Sequence, residues 1–190
     1  MSRKVLIIDN HDSFTYNIYQ FFSSVSDCSV VKNDAVSIGE LKKKDISHLV
    51  ISPGPGRPEE SAVSIDAVLH FKNKIPILGV CLGMQLMAYL NGGKIEKHPP
   101  VHGKTEKIFH SNCGIHSGLP AEFYAARYNS LAVSGIDETL LDITAKGESG
   151  FIMGLRDRKH RFFEGVQYHP ESFLTENGTY LFKNFLKMGY

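Results

Sequence analysis

The alternation of short apolar runs with amphipathic stretches is the feature that most constrains this chain. Val5-Leu6-Ile7-Ile8 is followed by Phe14, Ile18, Phe21, Phe22 and Val25, whose spacing lays them along one stripe of a helix. Ser29 to Val31 and Leu49-Val50-Ile51 read as a second and a third strand, and Ala62, Ile65 and Leu69 as another helix stripe. Pro76 to Val80 is a fourth apolar run, and residues 83 to 90 are apolar on nearly all sides, which predicts a buried helix. This rhythm is that of βα units feeding a parallel sheet. From about residue 101 it changes to short strand candidates at 104–109, 122–128, 141–145, 151–155 and 161–168, divided by Gly, Asp, Asn and Pro. These predict extra strands on the same sheet or on a side sheet. Tyr180, Leu181, Phe182, Phe185 and Leu186 predict a C-terminal helix packed back on the body.

Composition narrows the function classes. A 42% hydrophobic content with 12 Phe in 190 residues can build a core, so one domain over residues 1–190 is expected. Lys and Arg number 21 against 20 Asp and Glu, which leaves no global field to attract nucleic acid or an anionic membrane. Runs such as Ile75 to Val80 are too short to span a bilayer, and Met1 to Ile8 lacks the layout of a signal peptide, so a cytoplasmic protein is expected. Cys28, Cys81 and Cys113 form no CxxC pair and are odd in number, which argues against a disulfide framework or structural zinc. One of them is free to be reactive. His98, His102, His110 and His116 fall in one stretch without an HExxH pattern and are read as surface and loop histidines, with no metal site.

Three segments carry chemistry. Gly79-Val80-Cys81-Leu82-Gly83 ends a buried strand and opens a buried helix, as in the sharp turn that exposes a nucleophile between small residues. Cys81 then sits at the tip, with the Leu82 N–H where an oxyanion would form. A lone cysteine here reads equally as a core residue. Downstream, His169 and Glu171 lie two apart on an extended segment and project to one side, so the glutamate can orient the imidazole. The same pair could simply close a strand end. Ser52-Pro53-Gly54-Pro55-Gly56 follows the third strand at the sheet edge where α/β proteins bind ligands, and the Gly54 N–H could complete an oxyanion hole. It could also be a plain turn, and without a Gly-Lys-Ser/Thr ending it is no phosphate loop.

Taken together these segments resemble the class I, triad-type glutamine amidotransferases, most closely the small subunit shared by anthranilate synthase and aminodeoxychorismate synthase. Further matching stretches are Asp9 to Asn17, Leu78 to Gln85, His102 to Thr105, Arg127 to Leu131 and Gly165 to Ser172. The resemblance implies a three-layer α/β/α, flavodoxin-like fold with a mostly parallel sheet plus antiparallel strands. It implies that Cys81 attacks the glutamine side-chain amide, that His169 relays protons and that Glu171 orients it. Gly54, Pro55 and Gly56 with Leu82 would form the oxyanion side, and Gln85 with the Ser130 and Leu131 backbone would hold the amino-acid end. Ammonia would pass to a chorismate-using synthase on a separate subunit, since this stretch has no acceptor of its own. No cofactor is expected in this chain, and any magnesium belongs to the partner. Two residues depart from the family pattern: Met84, where a His is frequent, and Asn129, in a loop expected to face the synthase. The competing readings are an amidotransferase for another acceptor, a cysteine hydrolase of the DJ-1-like group, and a regulatory subunit with a decayed site. The spacing of the three segments favours the amidotransferase.

Overall fold

The computed structural model describes residues 3–189. Met1, Ser2 and Tyr190, the ends of the expected 1–190 unit and the first part of the Met1 to Ile8 start, lie outside the described residues. In chain order the elements are β1 (Lys4–Asp9), α1 (Thr15–Ser23), β2 (Asp27–Lys32), α2 (Ile38–Leu41), β3 (His48–Ile51), α3 (Ala62–Phe71), β4 (Ile77–Val80) and α4 (Leu82–Leu90). Then come β5 (Lys94–Lys97), β6 (Lys104–His110), β7 (Glu122–Arg127), β8 (Leu131–Ser134), β9 (Leu141–Gly147), β10 (Ile152–Asp157), β11 (Phe163–Val166) and α5 (Gly178–Lys187). A nine-stranded sheet runs β2-β1-β3-β4-β11-β10-β9-β6-β7, and β5 pairs with β8 apart from it. Strands β2, β1, β3, β4 and β11 are mutually parallel, and β10, β9, β6 and β7 continue the sheet antiparallel.

The period of two in the apolar strands decides the layering. Val5 and Ile7 face α1 and α5, whereas Leu6 and Ile8 face α3 and α4, so both sheet faces need helical cover. On the first face Phe22, Phe182 and Phe185 are almost fully buried, and their rings meet at centroid distances of 5.1 and 6.0 Å from Phe22. Each contributes roughly 2–3 kcal/mol by leaving water. The helix stripes differ in part from expectation. Val25 is exposed because α1 stops at Ser23, and Leu69 is exposed because α3 turns Ala67, Val68 and Phe71 inward. The β5–β8 pair was not foreseen: in Lys94-Ile95-Glu96-Lys97 only Ile95 is buried, so no apolar run announces it. His116, read as a loop or surface residue, is fully buried and bonds the Tyr168 hydroxyl at 2.9 Å.

For the site, the decisive pairing is that of β11 with β4. The chain leaves the parallel layer after α4, builds β5 to β10, and returns as β11 in register with β4, Val166 opposite Val80. Both strands end at the same edge.

Candidate active site

Cys81 stands between β4 and α4 with φ 52° and ψ −100°, a conformation that L residues rarely adopt. Its N–H donates to the Val166 carbonyl at 2.7 Å, and its own carbonyl takes the Gln85 N–H at 3.0 Å, which fixes the turn from both sides. Close packing explains the small neighbour after it. A Cβ on Gly83 would lie 2.5 Å from the Ile51 carbonyl oxygen, so α4 can approach β3 only with glycine there. The thiol is buried but not sealed, with 8% exposure.

The Ser52 to Gly56 loop is held against this turn by Asn10. The Asn10 N–H donates to the Ser52 hydroxyl at 2.9 Å, and its side-chain amide donates to the Ser52 carbonyl at 3.1 Å. Gly54 lies so close to Asn10 and Leu82 that a Cβ would sit 2.6 Å from the Asn10 carbonyl and 2.8 Å from Leu82 Cδ2. The loop and the start of α4 are thus brought together. Pro55 and Gly56 are exposed at the bend.

His169 follows β11, and its Nδ1 lies 2.7 Å from Glu171 Oε1, with both side chains buried. Phe14 and Tyr128 pack on the imidazole edge-to-face at 5.6 and 4.9 Å and fix its plane. The backbone is pinned as well, because the His169 N–H donates to the Ala126 carbonyl and Thr175 Oγ1 donates to the His169 carbonyl at 2.6 Å. His169 Nε2 has no well-aligned hydrogen-bond partner among the described residues, but it faces the Cys81 thiol. Burial alone would lower the imidazole pKa; the Cys81 and Glu171 side chains outweigh it and hold it well above 6.5.

Gln85 and Leu131, far apart in sequence, also meet. Gln85 Nε2 donates to the Leu131 carbonyl at 3.2 Å, and that same oxygen accepts from Asn129 Nδ2 at 2.8 Å. Ser130, at the exposed turn before β8, uses its carbonyl to accept the His98 N–H at 3.0 Å. Asn129 is buried, bonded also to His98 and Arg127, so its side chain braces the Leu131 carbonyl from within rather than facing outward. Met84 is fully buried in the apolar layer with Leu6, Ile8 and Ile51, a packing position away from the thiol.

Phe14, Tyr128, Asn10 and Gln167 were not foreseen as site residues. Gln167 was within reach: the two-residue alternation that pairs His169 with Glu171 also puts Gln167 on the side of His169. Among the described residues no group of three His, Cys, Asp or Glu side chains converges as a metal site requires, and no helix is long and apolar enough to cross a membrane. A cavity of about 720 Å³ touches Glu171 and Phe173 but lies between α1 and α5, behind the pair rather than at the thiol.

Comparison with known proteins gives the family. The family described as Glutamine amidotransferase class-I matches residues 6–188. This chain belongs to that family. The amidotransferase is 50% identical to the bifunctional protein TrpGD of Thermotoga maritima over 98% of the chain, which spans 32% of that longer protein. It is 44% identical to anthranilate synthase component 2 of Pyropia yezoensis, covering 96% of this chain and 98% of that one. It is also 44% identical to aminodeoxychorismate synthase component 2 of Escherichia coli, with the same coverage. A solved structure described as a putative GMP synthase subunit from Thermoplasma acidophilum superposes with a TM-score of 0.85 over 98% of this chain and 93% of that one. At 22% identity it speaks for the fold alone.

Proposed function

We propose that this amidotransferase hydrolyses L-glutamine with Cys81 as nucleophile, His169 as proton carrier and Glu171 as its orienting partner, and that the ammonia goes to a chorismate-using synthase subunit. The observation that carries the reading is the meeting of a positive-φ cysteine turn with the His169–Glu171 pair at the ends of two neighbouring parallel strands.

The steps follow from the groups present. The Cys81 sulfur attacks the side-chain amide carbon, and the oxygen takes up the negative charge beside the Leu82 and Gly54 N–H groups. His169 takes the thiol proton on Nε2 as the sulfur attacks and gives it to the departing nitrogen, so ammonia leaves and a γ-glutamyl thioester remains. The neutral imidazole then takes a proton from water, whose oxygen attacks the thioester, and the proton returns to sulfur as glutamate leaves. Glu171 keeps Nδ1–H pointed at itself and stabilises the imidazolium. Gln85 and the Leu131 backbone hold the amino-acid end of the substrate. These steps balance with no cofactor in this chain.

The partner follows from the relatives named as component 2 of anthranilate and of aminodeoxychorismate synthase, so the acceptor product is anthranilate or 4-amino-4-deoxychorismate. The test is glutamate release by the chain alone, with a synthase large subunit, and with chorismate added. Release should rise with each addition and vanish in Cys81→Ala, while ammonia-dependent product formation by the complex survives. A Cys81→Ala protein that still hydrolyses glutamine would overturn the assignment.

A further inference from the structure

We propose that Gln167 is a further active-site residue, whose carboxamide holds the resting sulfur of Cys81 and ties it through Gln85 to the Leu131 carbonyl; this rests on the reading of Cys81 as nucleophile. Gln167 is 1% exposed, so its carboxamide must find partners inside the protein. Its backbone is fixed by an N–H bond to the Met153 carbonyl at 3.0 Å. Its Nε2 donates to Cys81 Sγ at 3.3 Å, and its Oε1 accepts from Gln85 Nε2 at 3.0 Å. Gln85 Nε2 also donates to the Leu131 carbonyl, which Asn129 clamps. The result is a hydrogen-bonded chain from the loop before β8 to the reacting sulfur.

The chemistry of the two neighbours of Cys81 is complementary. His169 exchanges a proton with the reacting groups, whereas an amide N–H cannot be transferred at neutral pH and can only donate. Gln167 therefore holds the sulfur in line and stabilises negative charge on it before the C–S bond forms. Its effect belongs to the chemical step rather than to substrate binding. Gln85 is the shared joint: a substrate amino-acid group that draws on its amide loosens its hold on Gln167, so occupancy of the binding end is felt at the sulfur.

The test measures alkylation of Cys81 by iodoacetamide at neutral pH, followed by mass spectrometry with Cys113 as internal reference, and glutaminase kcat and KM in the complex with the synthase subunit. Gln167→Met keeps the bulk and removes the donor; Gln167→Glu keeps the size and the acceptor for Gln85 but sets an anion against the sulfur. Gln167→Met should slow Cys81 alkylation and kcat roughly tenfold, the worth of one hydrogen bond to a charged group, with KM changed less than about twofold. Gln167→Glu should lose more. Gln85→Met should slow alkylation even without glutamine, because Gln167 loses its anchor. Wild-type alkylation and kcat in the Gln167 variants, a loss confined to KM, or an unchanged Gln85→Met rate would each overturn the proposal. If Gln167→Met fails to fold by circular dichroism, the other two variants decide. Alkylation needs no glutamine, so a Gln167-dependent thiol in a chain without glutaminase activity would sink the functional reading, and with it the active-site role, and leave only the hold of Gln167 on the sulfur.

Discussion

Replacing Glu164 by Gln should convert a buried, pH-dependent liability into a neutral contact. Glu164 lies on β11, one strand away from the thiol turn, and has no exposed surface. One carboxyl oxygen accepts the Ile115 N–H at 3.1 Å, and the other has no hydrogen-bond partner among the described residues. Burial pushes its pKa up from 4.5 to about 7; the Ile115 N–H and Arg156 pull it back in part, and Asp142 adds to the rise. Below pH 4.5 the group is protonated in both folded and unfolded chains. Between 4.5 and about 7 the folded state holds the extra proton, so stability falls as pH rises through this window. A displacement of this size corresponds to about 3 kcal/mol, at 1.36 kcal/mol per pH unit. The glutamine amide keeps the acceptor for Ile115 and cannot ionise. Urea unfolding of both proteins at several pH values between about 4 and 8.5 gives the difference in stability at each, in which every other titrating group cancels. The variant should gain about 3 kcal/mol on the wild type across that range, whatever constant offset it starts from. A difference that stays flat with pH, or declines, would refute the reasoning.

Further predictions rest on the site. His169→Asn should cost at least ~10² in glutaminase turnover, and Glu171→Gln less, because orientation is weakened while the proton carrier remains; equal and negligible losses in kcat measurements would remove the pair from the mechanism. Gly83→Ala should destabilise by roughly 1–3 kcal/mol through the clash with the Ile51 carbonyl, read as a fall in the urea midpoint. Asn129→Ala should raise the KM for glutamine more than it lowers kcat, since it frees the Leu131 carbonyl that Gln85 also engages; the reverse pattern in steady-state kinetics would contradict this. His116, held neutral with its pKa pushed down to about 3 by burial and by His110, should make stability decline as pH falls from 6.5 toward 3, and a His116→Gln protein should show a shallower decline in the same unfolding series.

What the amino-acid order determined by itself is local. The alternation of strand residues, the helix stripes and the Gly79 to Gly83 turn are set by neighbours within a few positions, and they located the parallel layer, the Cys81 turn and the His169–Glu171 pair. Local pattern failed where burial depends on a distant surface. Leu69 fits a helix stripe as well as Val68 does, and only the position of β3 and β4 decides which faces inward. Nothing in Lys94 to Lys97 predicts a strand, because its pairing energy comes from β8, formed by Leu131 to Ser134. The same holds for the site. Cys81 meets His169 and Gln167 because β11 returns beside β4 after the strands β5 to β10 have been laid down, and that register brings Val166 opposite Val80. The Phe14 and Tyr128 clamp, the Asn129 brace and the buried Glu164 depend on contacts between segments whose separation along the chain carries no pattern. Tertiary packing alone settles them, since a hydrogen bond or ring contact is decided by a few tenths of an ångström between elements that sequence periodicity leaves free to slide.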